Sequence, residues 1–304
     1  MEEMKQYFIN LCCMVFILSS CSTNDSAENN KTQNDRIFES SFESVSDFND
    51  FYIVPQGDYD SNHELSSEIK YEGNYSHKAW ITSARAENND GDIYLPHRAY
   101  PTIQLYKTAT GSFITPCLIS FWAYLEISLE DKPSGSIDDW FSFATLSPDD
   151  SDNWTRTVLV NITPDGYLRL VHVPNQGEQE YIYQVNAEND QTGSLLYPNG
   201  QWVKIDIYID FSTNKGYAKV WQNGTLVSHA KVNGGDSELA QAHFGLYASA
   251  AIASGIIYND KLSIREIADE EVALPYIKVS ATLNPESASG RLSRSGAGRS
   301  GDTR

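Results

Sequence analysis

Apolar and polar residues alternate with a period of two along most of the chain, which is the pattern of strands that bury one face. The alternation is clearest over 202–210, where valine or isoleucine occupies every second position from Val203 to Ile209. Similar runs occupy 100–108, 118–127, 140–146, 155–162, 167–173, 217–222, 243–249 and 261–267. Helical periodicity does not extend over any comparable length, so the chain is predicted to be built from strands.

Turn residues separate these runs at short intervals. Pro164-Asp165-Gly166 and Asn223-Gly224 join neighbouring runs closely enough to predict two β-hairpins. Short strands at regular spacing between such turns are typical of two packed sheets. The prediction is an all-β protein with a two-sheet β-jelly-roll sandwich, forming a single domain over 37–270.

The two ends of the chain differ in composition from this domain. Residues 1–21 combine a lysine, an apolar run and the ending Leu18-Ser-Ser-Cys21. This layout predicts an export signal with a lipobox, in which Cys21 is lipidated; an ordinary secretory signal is the alternative. The polar tether 22–36 and the basic, Gly/Ser-rich tail 271–304 are predicted to be disordered. We expect an extracellular protein, either secreted or lipid-anchored at the outer membrane surface.

Charge limits the partners that the protein can bind. The formal net charge is −19, which argues against nucleic acid, because phosphate contacts dominate that affinity. The same field repels an anionic polysaccharide, so such a ligand would need a local cationic groove. Aromatic rings stack on sugars, and the candidates for this role are Trp140, Trp154, Tyr181, Tyr183 and Trp221, with core packing as the alternative.

Four segments follow one another in an order that is known from other proteins. They are 201–208 (Gln-Trp-Val-Lys-Ile-Asp-Ile-Tyr), 216–224 (ending Trp-Gln-Asn-Gly), 242–248 (Ala-His-Phe-Gly-Leu-Tyr-Ala) and 257–264. This order resembles the concanavalin-A-like sandwiches of polysaccharide lyases and of laminin-G-type glycan-binding domains. With the lipoprotein start and the segment 73–80, the chain is similar to the jelly-roll ulvan lyases of marine flavobacteria.

The resemblance implies an endo-acting polysaccharide lyase. Such an enzyme would cleave ulvan, a polymer of sulfated rhamnose and uronic acid, by β-elimination at uronate residues, and would release unsaturated oligosaccharides. The rival interpretation is a non-catalytic, cell-surface glycan-binding jelly-roll module. A glycoside hydrolase would need paired carboxylates on one strand, and the sequence has no Glu-x-Asp-x-x-Glu pattern. The expected partner is an anionic polysaccharide, bound by a monomer that contacts a membrane only through its lipid anchor.

β-Elimination needs a base at the C5 proton, an acid at the departing O4 and a group that offsets charge on the carboxylate. Gly245-Leu246-Tyr247 is similar to the Gly-x-Tyr part of the alginate-lyase strand motif, where the tyrosine transfers protons; the other alginate-lyase strands are missing. His243 and Tyr247 share one strand face. Tyr247 is predicted to be the acid and a candidate base, and His243 the alternative base or the carboxylate neutraliser. Packing of both side chains in the core is the competing interpretation.

Other polar side chains are candidates for holding the substrate. Arg98 can bind a carboxylate or sulfate with two parallel hydrogen bonds, and a solvated surface arginine is the alternative. Strand parity alone does not place further cations on the same sheet face. The predicted substrate-binding residues are His97, Arg98, Gln104, Arg156, Lys204 and Trp221.

Two further expectations concern structure rather than catalysis. Glu39 and Asp260, near the two ends of the domain, resemble the calcium site of many jelly rolls and are predicted to bind a structural calcium ion. Cys117, which would have no cysteine partner in the mature chain, is predicted to be buried and inert.

Overall fold

The alternating runs of the sequence form two stacked antiparallel β-sheets in the computed structural model. It describes residues 36–48, 51–53, 60–85, 96–99, 101–108, 111–131, 139–151, 154–174, 180–182, 195–235 and 237–268. The predicted export signal with Cys21, residues 22–35 of the predicted tether and the predicted tail 271–304 lie outside the described residues. All described residues belong to one compact unit, Gln33–Arg304.

The described residues contain eighteen strands and two short 3₁₀ helices. In chain order the strands are β1 Ile37–Ser40, β2 Phe51–Ile53, β3 Ser61–Ser66, β4 Ser76–Ile81, β5 His97–Ala99, β6 Pro101–Ile103, β7 Phe113–Ile114, β8 Cys117–Ile127, β9 Phe141–Ser147, β10 Thr157–Ile162, β11 Leu168–Val173, β12 Glu180–Ile182, β13 Trp202–Asp210, β14 Tyr217–Gln222, β15 Thr225–Lys231, β16 Glu238–Leu239, β17 Gln241–Ala248 and β18 Gly255–Glu266. The 3₁₀ helices are Val45–Phe48 and Leu105–Lys107. Within the described ranges, neither helix is long and apolar enough to cross a membrane.

Sixteen of the strands are divided between two large sheets, and β7 and β16 pair in a separate two-stranded sheet. The back sheet has the order β15-β14-β13-β8-β18-β4-β3, with β1 also paired to β18. The front sheet has the order β12-β11-β10-β9-β17-β6-β2, with β5 also paired to β17. At the centre of each sheet, strands from distant parts of the chain pair with one another: β8 with β18, and β9 with β17. The predicted all-β, two-sheet jelly roll is confirmed.

Apolar side chains from the inner faces of both sheets form one continuous core. On β13, the valine and isoleucine side chains from Val203 to Ile209 are fully buried, as the alternation predicts. Phe121 of the back sheet and Phe244 of the front sheet meet edge to face, with ring centroids 5.4 Å apart. Cys117 is buried as predicted, and burial raises the pKa of its thiol well above the ordinary value. This thiol is therefore uncharged and unreactive.

Both predicted hairpins are present. The turn over 163–167 joins β10 to β11, and the turn at Asn223-Gly224 joins β14 to β15. Asn223 and Gly224 have φ values of 48° and 79°. Positive φ at both central positions gives a turn whose twist matches that of the flanking strands, which explains why this dipeptide predicts a hairpin.

The first strand is joined to the last one. Arg36 forms an ion pair with Glu266, with 3.1 Å between nitrogen and oxygen, and donates hydrogen bonds to the carbonyl oxygens of Gly111 and Ser112. Glu266 is the last residue of β18, which pairs with β1. Arg36 is thus part of the sandwich, whereas the prediction placed it in the tether.

Candidate active site

β17 lies in the middle of the front sheet, between β9 on one side and β5 and β6 on the other. Phe244 and Leu246 of this strand are in the core, so the alternating residues His243 and Tyr247 project from the outer face. His243 is buried and Tyr247 is half-buried. Their rings meet edge to face with centroids 5.4 Å apart. An imidazole and a phenol therefore lie side by side on the outer face of the front sheet.

Gly245 allows these two rings to converge. Its φ of 125° falls in a region that L side chains rarely adopt, at a register irregularity between Phe244 and Tyr247. On a regular strand, Cα atoms four residues apart are separated by about 13 Å. The much shorter distance between the rings shows that both side chains lean toward Gly245, which has no side chain to separate them.

Arg98 joins this pair from the neighbouring strand. β5 runs antiparallel to β17 with Arg98 directly opposite Tyr247. The guanidinium carbon of Arg98 lies 5.6 Å from the centroid of the Tyr247 ring, within the range of a cation–π contact. The structure thus brings Arg98, which the sequence proposed separately, to the predicted pair His243 and Tyr247.

His97 does not belong to this group, contrary to the prediction that it binds substrate. It lies opposite Ala248, a core residue, so its side chain points between the sheets and is fully buried. Its Nε2 lies 3.0 Å from the carbonyl oxygen of Ile252. Consecutive residues of a strand point to opposite faces, so His97 and Arg98 could not both reach the outer face.

Polar side chains continue from Tyr247 across the front sheet. The register places Tyr247 opposite both Arg98 and Ser142, Ser142 opposite Asn161, and Asn161 opposite Arg169. Directly opposed residues point to the same side of a sheet, so these five side chains form a line, named here the polar row. Arg98 and Arg169 stand four strand spacings apart, which is about 19 Å. Ser142 and Asn161 were not predicted, because the sequence does not show which strands are neighbours.

Two polar atoms on this face, Asn161 Oδ1 and Thr145 Oγ1, have no hydrogen-bond partner within the described part of the chain. Their residues are only 6% and 4% exposed. Thr145 lies directly opposite His243. Buried polar atoms in folded proteins are normally paired, so these two are exceptions beneath the outer face of the front sheet. Arg169, at the far end of the polar row, forms an ion pair with Asp165.

The electrostatic surroundings of His243 decide between its two predicted roles. Burial lowers the pKa of His243 well below its ordinary value, and the positive charge of Arg98 lowers it further. The imidazole is therefore neutral near pH 7. A neutral imidazole accepts a proton but does not offset a negative charge, which fits the predicted base better than the predicted neutraliser.

Two tryptophans pack against this pair. The Trp140 ring meets Tyr247 edge to face at 5.0 Å, and the Trp154 ring lies 5.4 Å from His243, both measured between ring centroids. Both tryptophans are half-buried. They shield one side of the pair from water and offer flat apolar surface to a sugar.

Asp149 organises the loop that carries Trp154. Its carboxylate accepts hydrogen bonds from the backbone N–H and the hydroxyl group of both Ser151 and Thr155. Burial raises the pKa of this carboxyl group, but the hydrogen bonds together outweigh burial and lower it. The amide of Gln241, on β17, donates to the carbonyl oxygens of Asp149 and Ser151. An aspartate whose side chain accepts a hydrogen bond from the residue two positions later is a common turn signal, and Asp149 and Ser151 have that spacing in the sequence.

Trp221 and Lys204 lie on the back sheet, contrary to the prediction that they contact substrate beside Tyr247. Trp221 is 2% exposed and packs in a small apolar cluster with Leu118 and Tyr208. Lys204 forms an ion pair with Asp206 at 3.0 Å. Strand alternation shows which residues of one strand share a face. It does not show which sheet that strand joins, and only the tertiary structure gives that assignment.

Gln104 and Arg156 lie near the front sheet but are engaged elsewhere. Gln104 follows β6, and its Oε1 accepts a hydrogen bond from Lys107 Nζ at 2.9 Å. Arg156 precedes β10 and its guanidinium lies against Gly235. Neither residue belongs to the polar row.

The residues proposed for calcium do not fit that ion. Both oxygens of Asp260 accept backbone hydrogen bonds, Oδ2 from Tyr71 and Glu72 and Oδ1 from Lys261. A cation at these oxygens would face N–H donors. Glu39 is exposed on β1, opposite Ser263. Among the residues that the structure describes, none form a group of three or more His, Cys, Asp or Glu side chains that could hold a metal. Calcium binding elsewhere stays a prediction.

Several solved structures resemble this fold at low sequence identity. The endo-beta-1,4-glucuronan lyase from the fungus Trichoderma reesei is 12% identical, with a TM-score of 0.49 over 76% of this chain and 95% of that one. The cellulose induced protein Cip1 is 14% identical, with a TM-score of 0.47 over 75% and 96%. The alginate lyase Aly36B is 15% identical, with a TM-score of 0.44 over 79% and 94%. No curated protein sequence matches this chain closely enough to count as a relative.

A family model gives the assignment. The model described as polysaccharide lyase matches residues 54–263, which is more than half of the chain. The matched region contains Arg98, His243 and Tyr247 as well as the rest of the polar row. The chain therefore belongs to the polysaccharide lyase family, and its substrate is a polysaccharide.

Proposed function

We propose that the protein cleaves ulvan by β-elimination at its uronate residues, using Arg98, His243 and Tyr247. The observation that carries this proposal is the convergence of a guanidinium, a neutral imidazole and a phenol on one sheet face. The separations are 5.6 Å from Arg98 to the Tyr247 ring and 5.4 Å between the rings of His243 and Tyr247. These groups correspond to the neutraliser, the base and the acid that the elimination needs.

The reaction starts at the uronate carboxylate. Arg98 donates two parallel hydrogen bonds to it and offsets the negative charge that develops when the C5 proton leaves. His243 accepts that proton, the electron pair forms the C4–C5 double bond, and the C4–O4 bond breaks. Tyr247 gives its phenolic proton to O4, so the departing chain leaves with a hydroxyl group. Return of a proton from His243 to Tyr247 restores the enzyme, and water is not consumed.

The polar row supports a polymer with acidic groups at intervals along its length. Arg98 and Arg169 stand about 19 Å apart on the same face, which is several sugar residues. Arg169 is paired with Asp165, so an anionic group of the polymer would have to displace that carboxylate. Ulvan combines uronate carboxylates with sulfated rhamnose, and guanidinium forks match both anions.

The proposal is tested by incubating the purified protein with ulvan, glucuronan and alginate and following the absorbance of the unsaturated uronate. Ulvan should give the fastest rise, and Tyr247→Phe should abolish it while the far-ultraviolet circular dichroism spectrum stays unchanged. Trp221→Phe, in the back sheet, is the matched control and should retain turnover. Faster cleavage of glucuronan or alginate would refute ulvan but keep the elimination. Binding of ulvan without any absorbance change would instead support the glycan-binding module.

We also propose that the protein is exported and lipid-anchored through Cys21, on the basis of the composition of residues 1–21. Bacteria expressing the full chain should incorporate labelled palmitate into it, and Cys21→Ser should remove the label. Unlabelled wild-type protein in the culture medium would indicate an ordinary secretory signal, and retention in the cytoplasm would refute export.

A further inference from the structure

The outer face of the back sheet carries a second group of aromatic side chains. Trp202, Tyr124 and Tyr258 lie directly opposite one another on β13, β8 and β18. Their ring centroids are 5.8 Å and 5.9 Å apart in succession. Lys78 connects this line to Trp80 of β4, with its ammonium 5.2 Å from the Trp80 ring and 5.9 Å from the Tyr258 ring. Trp80, Tyr124, Trp202 and Tyr258 are named here the aromatic band.

An open trough of about 560 Å³ runs beside the aromatic band. Ile256 lies opposite both Trp80 and Glu126 in the strand register, so it forms the floor between them. Two strand spacings, about 10 Å, separate Trp80 from Glu126. Ser128 and Asn199 also line the trough. The trough thus has the Trp80 ring on one side and polar side chains on the other.

Carboxylates dominate the charged groups here, and the phenols of the aromatic band hold two of them in place. Tyr124 donates a hydrogen bond of 2.6 Å to Glu126, and Tyr258 donates one of 2.9 Å to Glu68. Lys78 forms ion pairs with Glu68 at 2.6 Å and with Glu64 at 3.8 Å. One ammonium group therefore faces three carboxylates, and this surface has a net negative charge.

We propose that the trough binds a neutral polysaccharide, at a site separate from the one that cleaves the anionic substrate. Trp80, which lines the trough, is half-buried and offers a ring face on which a sugar ring can stack. Glu126 accepts hydrogen bonds from sugar hydroxyls, and the carboxamide of Asn199 can both donate and accept them. A uronate or sulfated chain is repelled by the surplus of carboxylates, which selects a neutral glycan.

The position of the site suggests its use. The aromatic band and the polar row lie on opposite outer faces of the sandwich, because one belongs to the back sheet and the other to the front sheet. A chain bound in the trough would leave the front face accessible. Binding there would hold the enzyme on a neutral component of a mixed matrix while the front sheet cleaves the anionic component.

Isothermal titration calorimetry on the mature protein tests this site, and the uronate titration is done in the Tyr247→Phe background so that no probe is cleaved. The probes are hexasaccharides of β-1,4-linked glucose, xylose and mannose, with a uronate hexasaccharide as the anionic comparison. At least one neutral probe should bind saturably, and Trp80→Ala should weaken it by about tenfold. Trp80→Leu, which removes the ring with a smaller loss of volume, gives a second variant should Trp80→Ala fail to fold, which thermal unfolding will show.

The matched control is Trp154→Ala, which removes a half-buried tryptophan from the front sheet and should leave neutral binding unchanged. Trp80→Ala should in turn leave lyase turnover unchanged. The proposal is overturned if none of the neutral hexasaccharides binds, or if the folded tryptophan variants of the trough bind as the wild type does. Loss of uronate binding in Trp80→Ala would also overturn it. None of these results depends on whether the protein cleaves ulvan.

Discussion

Replacing Arg98 by alanine tests the proposed chemistry most directly. Arg98 is half-buried and lies opposite Tyr247, so its removal takes away the cation that faces the substrate carboxylate. Two unit charges 4 Å apart at an effective dielectric constant of 20 interact by about 4 kcal/mol. Loss of one donor to a developing oxyanion lowers kcat by about 10²–10³-fold. We expect Arg98→Ala to lower kcat/KM by about the same factor.

The same substitution should change the pH dependence in a defined direction. Burial and the charge of Arg98 both lower the pKa of His243. The base must be neutral to act, so activity is lost as the pH falls through this pKa. Removing Arg98 raises the pKa, and the acid limb of the kcat/KM profile should move to higher pH. Arg98→Lys keeps the charge but loses the bidentate fork, so it should lose about tenfold in rate with a smaller shift.

Initial rates on ulvan give both the loss of kcat/KM and the shift of the acid limb. They are read from the absorbance of the unsaturated uronate across the pH range in which the protein stays folded. Lys204→Ala is the matched control, because it removes an ion-paired cation from the back sheet. This control should keep the wild-type rate and profile. Wild-type kcat/KM in Arg98→Ala, or an acid limb that does not move, would refute the assignment of Arg98 and His243.

Two further predictions concern the fold around the site, and a third concerns two buried histidines of the back sheet. Gly245→Ala forces an alanine to φ near 125°, which should cost about 1–3 kcal/mol of unfolding free energy and separate the rings of His243 and Tyr247. The thermal unfolding midpoint and kcat should therefore both fall. Gly224→Ala, the control at another positive φ, should lower stability alone. Asp149→Ala removes the carboxylate that accepts hydrogen bonds from Ser151 and Thr155, and it should lower stability by about 1–3 kcal/mol. It should also reduce kcat and change the fluorescence of Trp154. Unchanged fluorescence and kcat would exclude a positioning role for Asp149. Burial lowers the pKa of His63, and it lowers the pKa of His77 more strongly. The two histidines therefore contribute fully to stability above the unfolded-state pKa of about 6.5, and this contribution is lost as the pH falls below that pKa. Denaturant unfolding at stepped pH should show a slope of up to about 1.4 kcal/mol per pH unit for each histidine, and His77→Gln should flatten it.

Much of the fold followed from local features of the sequence. The buried face of β13 was predicted from its alternating valine and isoleucine side chains, since burial of one face depends on neighbouring residues of the same strand. The Asn223-Gly224 hairpin was predicted from the positive φ that these residues tolerate. His243 and Tyr247 were placed together for the same reason, because they belong to one strand.

The rest of the site required knowledge of which strands are neighbours. His97 was predicted to bind substrate with Arg98, but the parity of β5 relative to β17 turns it into the core. Trp221 and Lys204 were predicted to bind substrate, and they lie on the other sheet. Ser142 and Asn161, which complete the polar row, were not predicted at all.

The sequence by itself determined the strands, the hairpins and the side chains that each strand turns to one face, because these depend on a period of two and on local backbone preferences. The tertiary structure alone decided that Arg98 of β5 meets Tyr247 of β17, and that an aromatic band stands on the opposite face. Pairing between strands distant in the chain is selected by backbone hydrogen bonding and by the joint burial of all the apolar faces. Those are properties of the whole fold, and they cannot be inferred from the sequence of a single strand.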